Sequence, residues 1–183
     1  MSSNVWMGSK VWLRAWKPSD WQAEQRWSRD SEGQRTDYRV AFPRSDAAIQ
    51  KQANDYALAE PEGDKVKLVI ARLEGEPVGV LTTDNCQPID GTFSYGVYIE
   101  PDQRRHGYAA EAIVLLLRHF FYELRYQKAN AAVIDFKEAS IRLQESLGFQ
   151  LEGRQRSMHY TDGALLDLLH YGITAAEFRA RHG

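Results

Sequence analysis

The stretch Tyr95-Gly-Val-Tyr-Ile-Glu-Pro-Asp-Gln-Arg-Arg-His-Gly-Tyr-Ala-Ala-Glu-Ala112 decides the reading of the fold. Its first part is rich in aromatic and β-branched residues and stops at Pro101, so it reads as a strand that ends there. Arg104 and Arg105 follow in a loop. From Gly107 onward apolar residues recur at helical spacing, at Ile113, Leu116, Leu117, Phe120 and Leu124, which predicts a helix from Gly107 to Leu124. Ile113 to Leu117 is apolar on nearly every side, so the helix is expected to be largely buried. The unpaired N–H groups of its first turn converge on one spot, where the helix dipole also favours an anion. Hydrogen bonds to a charged acceptor contribute about 1.5–3 kcal/mol each, against about 0.3–1 kcal/mol for the dipole, so the amides dominate. Small Gly107 and Ala109 let the backbone approach a ligand closely, and a pyrophosphate would fit. The plain alternative is a solvated basic turn before a core helix. The spacing departs from G-x-x-x-x-G-K-[ST] and G-x-G-x-x-G, so nucleoside triphosphatase and dinucleotide readings lose support.

Upstream, Val11 to Arg14 reads as a first strand. Lys17-Pro18-Ser19-Asp20 reads as a turn whose Ser19 or Asp20 caps a helix through Ser28. Gln34 to Ser45 is polar, contains Pro43 and reads as loop; Asp46 opens a helix through Ala59. Val66 to Leu73 and Val78 to Thr83 form a hairpin, and Asp90-Gly91 turns the chain into a strand from Thr92 to Ile99. Downstream, Ala129 to Ile134 is a strand, and Asp135-Phe136-Lys137-Glu138 has capping-box spacing for a helix ending at Gly148. Phe149 to Glu152 continues as a strand. Arg156 to Thr161 and Leu165 to Ile173 flank a second Asp-Gly turn, before a short polar tail helix. The class is α+β, a sandwich of helices about a central, mostly antiparallel mixed sheet of about seven strands.

At 183 residues the chain is expected to form a single domain, 1–183. Apolar residues are 43% and charged residues 26%, which disfavours disorder. Lys plus Arg number 23 against 25 Asp plus Glu, without the cationic surplus of a nucleic-acid binder. No stretch reaches the roughly 20 apolar residues of a membrane span. Met1 to Lys10 lacks the basic and apolar regions of a secretory signal, and the single Cys86 has no disulfide partner, so the expected location is cytoplasmic. Histidines 106, 119, 159, 170 and 182 show no paired ligand spacing, so no metal is expected.

Arg104-Arg-His-Gly107-Tyr-Ala109 resembles the R/Q-x-x-G-x-G/A signature of the GNAT N-acetyltransferases, in its expected place between a strand and a long helix. Glu138-Ala-Ser-Ile-Arg-Leu143, Leu147-Gly-Phe149, Glu152-Gly-Arg154, Tyr160-x-Asp-Gly163 and Asp167-x-x-x-Tyr171 are similar to the subgroup that acetylates ribosomal-protein N-termini, the RimJ/RimL type. The correspondence in element order runs from about Val11 to Ile173.

The resemblance implies acetyl-coenzyme A as donor, with its pyrophosphate on the amides of Arg104, Arg105, His106, Gly107, Tyr108 and Ala109. It implies a strand that splays from its neighbour, with backbone groups of Val97, Tyr98 and Ile99 pairing with the pantetheine arm. Ser140 matches a family serine that lies near the coenzyme sulfur, as thiol partner or acid; its other reading is a helix-start serine bonding the backbone. Gln144 stands where other members carry a tyrosine acid, so that acid is absent. His159 occupies a place where the subgroup can have a glutamate base, and its reference pKa near 6.5 suits a proton acceptor at neutral pH. A hydrogen-bonded strand histidine is the alternative.

Ser94 replaces an acidic residue often found on the fourth strand, and Lys137 replaces the asparagine usual three residues before the serine. Glu100 reads as a solvated strand end. All five tryptophans, Trp6, Trp12, Trp16, Trp21 and Trp27, fall where relatives line the acceptor entrance, and packing against the sheet is the better explanation for most. The expected activity is acetyl transfer to a primary amine: a protein N-terminal α-amine first, with a polyamine or aminoglycoside-like amine as alternative. The rival from another class is a coenzyme-binding module without turnover. A homodimer is the assembly the resemblance implies.

Overall fold

The computed structural model describes residues 4–36 and 39–183; the start of the chain and part of the loop expected at Gln34 to Ser45 lie outside them. Seven strands form one sheet: β1 (Val11–Arg14), β2 (Lys67–Arg72), β3 (Pro77–Gln87), β4 (Thr92–Ile99), β5 (Lys128–Ile134), β6 (Gln150–Thr161) and β7 (Ala164–Thr174). Their order is β1-β2-β3-β4-β5-β7-β6, antiparallel throughout except for the parallel pair β4–β5. Helices α1 (Trp21–Trp27), α2 (Ser31–Gln34), α3 (Asp46–Leu58), α4 (Tyr108–Arg118), α5 (Glu138–Leu147) and α6 (Ala175–His182) complete the fold. It is the α+β sandwich with a mixed central sheet that the sequence predicts.

Strand alternation divides the core between the two faces. Ile70 packs with Leu81, Phe93 and the α4 side chains Ile113, Leu116 and Leu117. Its neighbours Val69 and Ala71 point the other way, onto Trp16, Ala23 and Trp27. Because β2 is covered on both sides, its sequence Lys-Leu-Val-Ile-Ala-Arg reads as an apolar run rather than as an alternating one.

Several boundaries differ from the sequence reading for identifiable reasons. The helix expected to reach Leu124 stays α-helical to Arg118 and finishes in a π-helical turn, His119–Glu123, which seats Phe120 and Phe121 in the core. The separate strands expected at Phe149 to Glu152 and Arg156 to Thr161 are one strand, β6, with register shifts against β7. Left-handed Ser157 lies in the second shift, and its N–H donates to Asp167 Oδ1 at 2.8 Å. Asp20 is not a free cap: it is buried in a bidentate pair with Arg14, at 2.7 and 2.8 Å. Asp135 does not cap α5 either. Arg154 holds its carboxylate at 3.0 Å, and the N-cap position falls to Lys137.

Candidate functional site

The parallel pair β4–β5 is joined only from Thr92↔Lys128 to Ser94↔Asn130. Beyond Ser94 the strands diverge: β4 continues on β3, and β5 continues on β7. Glu100 N–H donates to Val78 O at 2.9 Å. The two-residue alternation of an antiparallel ladder therefore directs Gly96 and Tyr98 toward β3 and turns the main chain of Val97 and Ile99 into the gap. Ile99 O is taken by Arg104 Nε at 3.0 Å, which leaves the N–H groups of Val97 and Ile99 and the carbonyl of Val97 as the open edge. Of the three β4 residues expected to meet a pantetheine arm, Tyr98 has its main chain on the other side, and its hydroxyl donates to Asp30 at 3.1 Å.

The gap opens into a cleft of about 900 Å³. Gly96, Val97, Ala131 and Val133 line it at the strands, Ser140 and Gln144 on α5, and Trp27 and Ile49 on the opposite face.

At the mouth of α4 the loop builds an amide cradle. Arg105 (φ +67°) and Gly107 (φ +82°) are both left-handed, an arrangement that turns successive N–H groups toward one side. The N–H groups of residues 105–110 have no hydrogen-bond partner among the described residues. The six residues expected at this position, Arg104 to Ala109, do not contribute alike. The Arg104 guanidinium is committed to Asp30 at 2.6 Å and to Ile99 O, so it braces the loop against α2. The ring of His106 stacks on Tyr108 at 5.3 Å.

Two residues that the sequence reading missed complete the cradle. The Glu111 carboxylate accepts the N–H groups of Ser9, Lys10 and Val11 at 2.8 Å each, and the Ser9 hydroxyl at 2.6 Å. Burial alone would raise the pKa of Glu111; the Ser9 hydroxyl and the three amides outweigh it and hold the carboxyl below its ordinary range. This clamp brings Lys10 to the loop, where its Nζ donates to His106 O at 3.1 Å. The available signal was Glu111 in the first turn of the helix, where a carboxylate is favoured. Its partners lie about a hundred residues away, beyond the reach of local pattern.

Gln144 is buried, and its Oε1 accepts the Tyr95 hydroxyl at 2.5 Å. Burial pushes the Tyr95 phenol far above its ordinary pKa, so it stays a neutral donor. With Oε1 engaged, the Gln144 amide nitrogen is left without a partner among the described residues, one helical turn from Ser140 on the cleft wall. Ser140 is half-buried there; its N–H is bonded to Lys137 O, and its hydroxyl has no partner among the described residues.

His159 is not on the cleft wall, so the structure does not bring it together with Ser140. Its Nε2 faces Arg35 O at 2.8 Å. The contact ties β6 to the end of α2 and the residues after it, where Gln34 and Thr36 line the cleft. Arg35 in turn pairs with Asp162 at 3.2 Å, and Lys137 reaches Glu32 of α2 at 2.8 Å.

Of the tryptophans, Trp27 lines the cleft, Trp16 is buried against it edge to face at 6.2 Å, Trp6 packs on His119, and the Trp12 indole donates to Arg72 O. Glu100 is not the solvated strand end expected. It is paired with Arg26 at 2.8 and 3.2 Å, and that bond holds its carboxyl below the ordinary range. Burial raises the Cys86 thiol, whose Sγ lies 3.4 Å from Asp64 O. No helix among the described residues is long and apolar enough to cross a membrane.

Residues 10–150 match the family model described as the acetyltransferase (GNAT) domain. The chain is 35% identical over all 183 residues, and over the full length of the relative, to the SPbeta prophage-derived uncharacterized N-acetyltransferase YokL of Bacillus subtilis (strain 168). Among solved structures, it is similar to the spermidine N-acetyltransferase of Vibrio cholerae in complex with CoA and spermine. The TM-score is 0.80 at 17% identity, over 94% of this chain and 99% of that one. It is also similar to RimL, a ribosomal alpha-N-protein acetyltransferase in complex with coenzyme A, with a TM-score of 0.79 at 18% identity over 91% and 95%. At those identities the two structures establish the fold, and neither acceptor carries over.

Proposed function

The chain belongs to the GNAT acetyltransferase family, and from that premise we propose that it moves an acetyl group from acetyl-coenzyme A directly to a primary amine, with the α-amine of a protein N-terminus as acceptor. The observation that carries this reading is the open edge of Val97 and Ile99, in the same loop-and-strand unit as the unpaired amides of residues 105–110. An extended pantetheine arm fits the first, as an added strand. A diphosphate fits the second, with the Lys10 ammonium beside it. In the reaction the amine nitrogen bonds to the thioester carbon, the C–S bond breaks, and the sulfur leaves as the proton shed by the amine is returned to it.

This chain's residues divide the work as follows. Val97 and Ile99 N–H groups fix the acyl donor along the β4 edge. The Ser140 hydroxyl donates to the departing sulfur, in place of the missing tyrosine acid. The Gln144 amide, held by Tyr95, presents its N–H₂ to the same end of the cleft as a neutral donor for the charge that develops there. His159 is a positioning residue, which holds Arg35 and with it the acceptor-side wall. No strong base is needed for an α-amine, which with a pKa of about 7.7–8.0 is already about 10% neutral at pH 7. Tyr160-x-Asp-Gly163 and Asp167-x-x-x-Tyr171, which resemble the RimJ/RimL subgroup, support a protein N-terminus.

A thiol-release assay with acetyl-coenzyme A against free N-terminal peptides, polyamines and amino-sugars tests the reading. We expect turnover with peptides and a fall of about a hundredfold in kcat for Ser140→Ala. Absence of coenzyme binding by calorimetry would overturn it.

A further inference from the structure

We propose that the acceptor is anionic: an N-terminal peptide segment with a carboxylate about three residues from the reacting amine, recognised by Lys67 and Arg44. The proposal rests on the acetyltransfer reading above and deepens it.

Arg29, Arg39, Arg44, Lys67 and Lys137 bring five positive charges to the cleft wall, against the carboxylates of Glu24 and Asp46 among the described residues. Among the described residues, only Lys137 of these five is ion-paired, with Glu32 at 2.8 Å. The Arg44 guanidinium is held by neutral acceptors, Gln52 Oε1 at 2.6 Å and Ala48 O at 3.1 Å, and it has no ion pair among the described residues. Lys67 is held by ring faces instead of by an anion: its Nζ lies 3.9 Å from the centroid of Tyr56 and 5.2 Å from that of Trp16. Aromatic faces restrict where the ammonium can go without cancelling its charge. Chain chemistry that wanted only a solvated lysine here would not surround it with two rings. An ordered, unneutralised cation inside a cleft is instead a site prepared for an anion.

The sheet register gives the spacing. Lys67 is opposite Thr82, and Thr82 is opposite Gly96 on β4; all three line the cleft. Two inter-strand steps separate Lys67 from the open edge of β4, about 10 Å at the usual spacing of about 4.8 Å. An extended peptide covers that distance in about three residues. A polycation entering the same cleft would meet the surplus of positive charge on its wall.

The test compares peptides of one length that carry Asp and Glu, or Lys, at positions two to four, together with spermidine, at saturating acetyl-coenzyme A and at low and high salt. We expect kcat/KM for the acidic peptide to exceed that for the basic one at least tenfold, with the ratio shrinking as salt rises. Lys67→Gln should raise KM for the acidic peptide about tenfold and Lys67→Arg should restore it. Arg44→Gln, at a surface position that does not threaten folding, should act in the same direction. Equal or better turnover of the basic peptide or of spermidine, or discrimination that survives both Gln variants, overturns the proposal while leaving acetyl transfer intact. Failure of every amine together with absent coenzyme binding sinks the underlying reading instead.

Discussion

Gln144 and Tyr95 are ordinary residues whose meaning comes from their contact. A glutamine in an amphipathic helix reads as surface or boundary, and a tyrosine in a strand reads as core. Together they form a buried donor–acceptor pair that directs the free face of the amide at the cleft. Tyr95→Phe leaves Gln144 Oε1 without its donor in a buried place, so we expect a stability loss of about 1–3 kcal/mol in urea titration, together with a lowered kcat. His159 is decided by the same kind of local evidence. If it positions Arg35, His159→Gln, which keeps an N–H donor at the same reach, should retain activity and an unshifted pH–rate profile, while His159→Ala raises the KM of the acceptor. A loss of the acidic limb of the profile in both variants, with a large fall in kcat, would restore it as a base. The place of Ser140 at the start of α5 was legible from its motif, whereas the commitment of Arg104 to Asp30 was not, because an arginine in such a loop looks free until its carboxylate partner appears 74 residues away.

At the scale of elements, the N-terminus of α4 presents amides without partners among the described residues and anchors the residues before β1 through Glu111. Gly107 is left-handed, and a Cβ there would come 2.9 Å from Lys10 Nζ. Gly107→Ala is expected to cost about 1–2 kcal/mol from backbone strain and to weaken coenzyme affinity measurably by calorimetry. Glu111 joins the helix to the residues before β1. Since its folded pKa lies below its unfolded value, its contribution is complete at neutral pH and is lost as pH falls through the folded pKa, below about pH 4. Glu111→Gln should therefore lower stability by about 2–3 kcal/mol at pH 7, with the gap to the parent closing in acid. Urea midpoints at the two pH values check both halves. A constant difference across pH would mean that the carboxylate's charge contributes nothing. The helix itself was readable from Ile113, Leu116 and Leu117. Its last turn was not, because the change to π-helix at His119 serves to bury Phe120 and Phe121 together and leaves no mark in the spacing.

The molecule as a whole is a sheet held open at one seam, and the binding energy of the donor should appear in its global stability. A ligand bound only by the folded state at about a hundred times its Kd adds about 2.7 kcal/mol. For a chain of this length that corresponds to a rise of roughly 5–10 °C in Tm with acetyl-coenzyme A, and no rise with a coenzyme fragment that lacks the diphosphate. The sequence by itself determined the identity and order of nearly every strand and helix, the turn residues at Asp90-Gly91 and Asp162-Gly163, and the place of the loop that leads into α4 with its amides unpaired among the described residues, because periodicity, capping and turn chemistry are local properties of the chain. Only the tertiary structure decided which strand edge stays open, where the Arg104 and Glu111 side chains are spent, that β6 is one bulged strand, and that Lys67 sits between two rings. Those outcomes depend on pairings between residues tens of positions apart, and no local pattern encodes a partner that folding alone brings within reach.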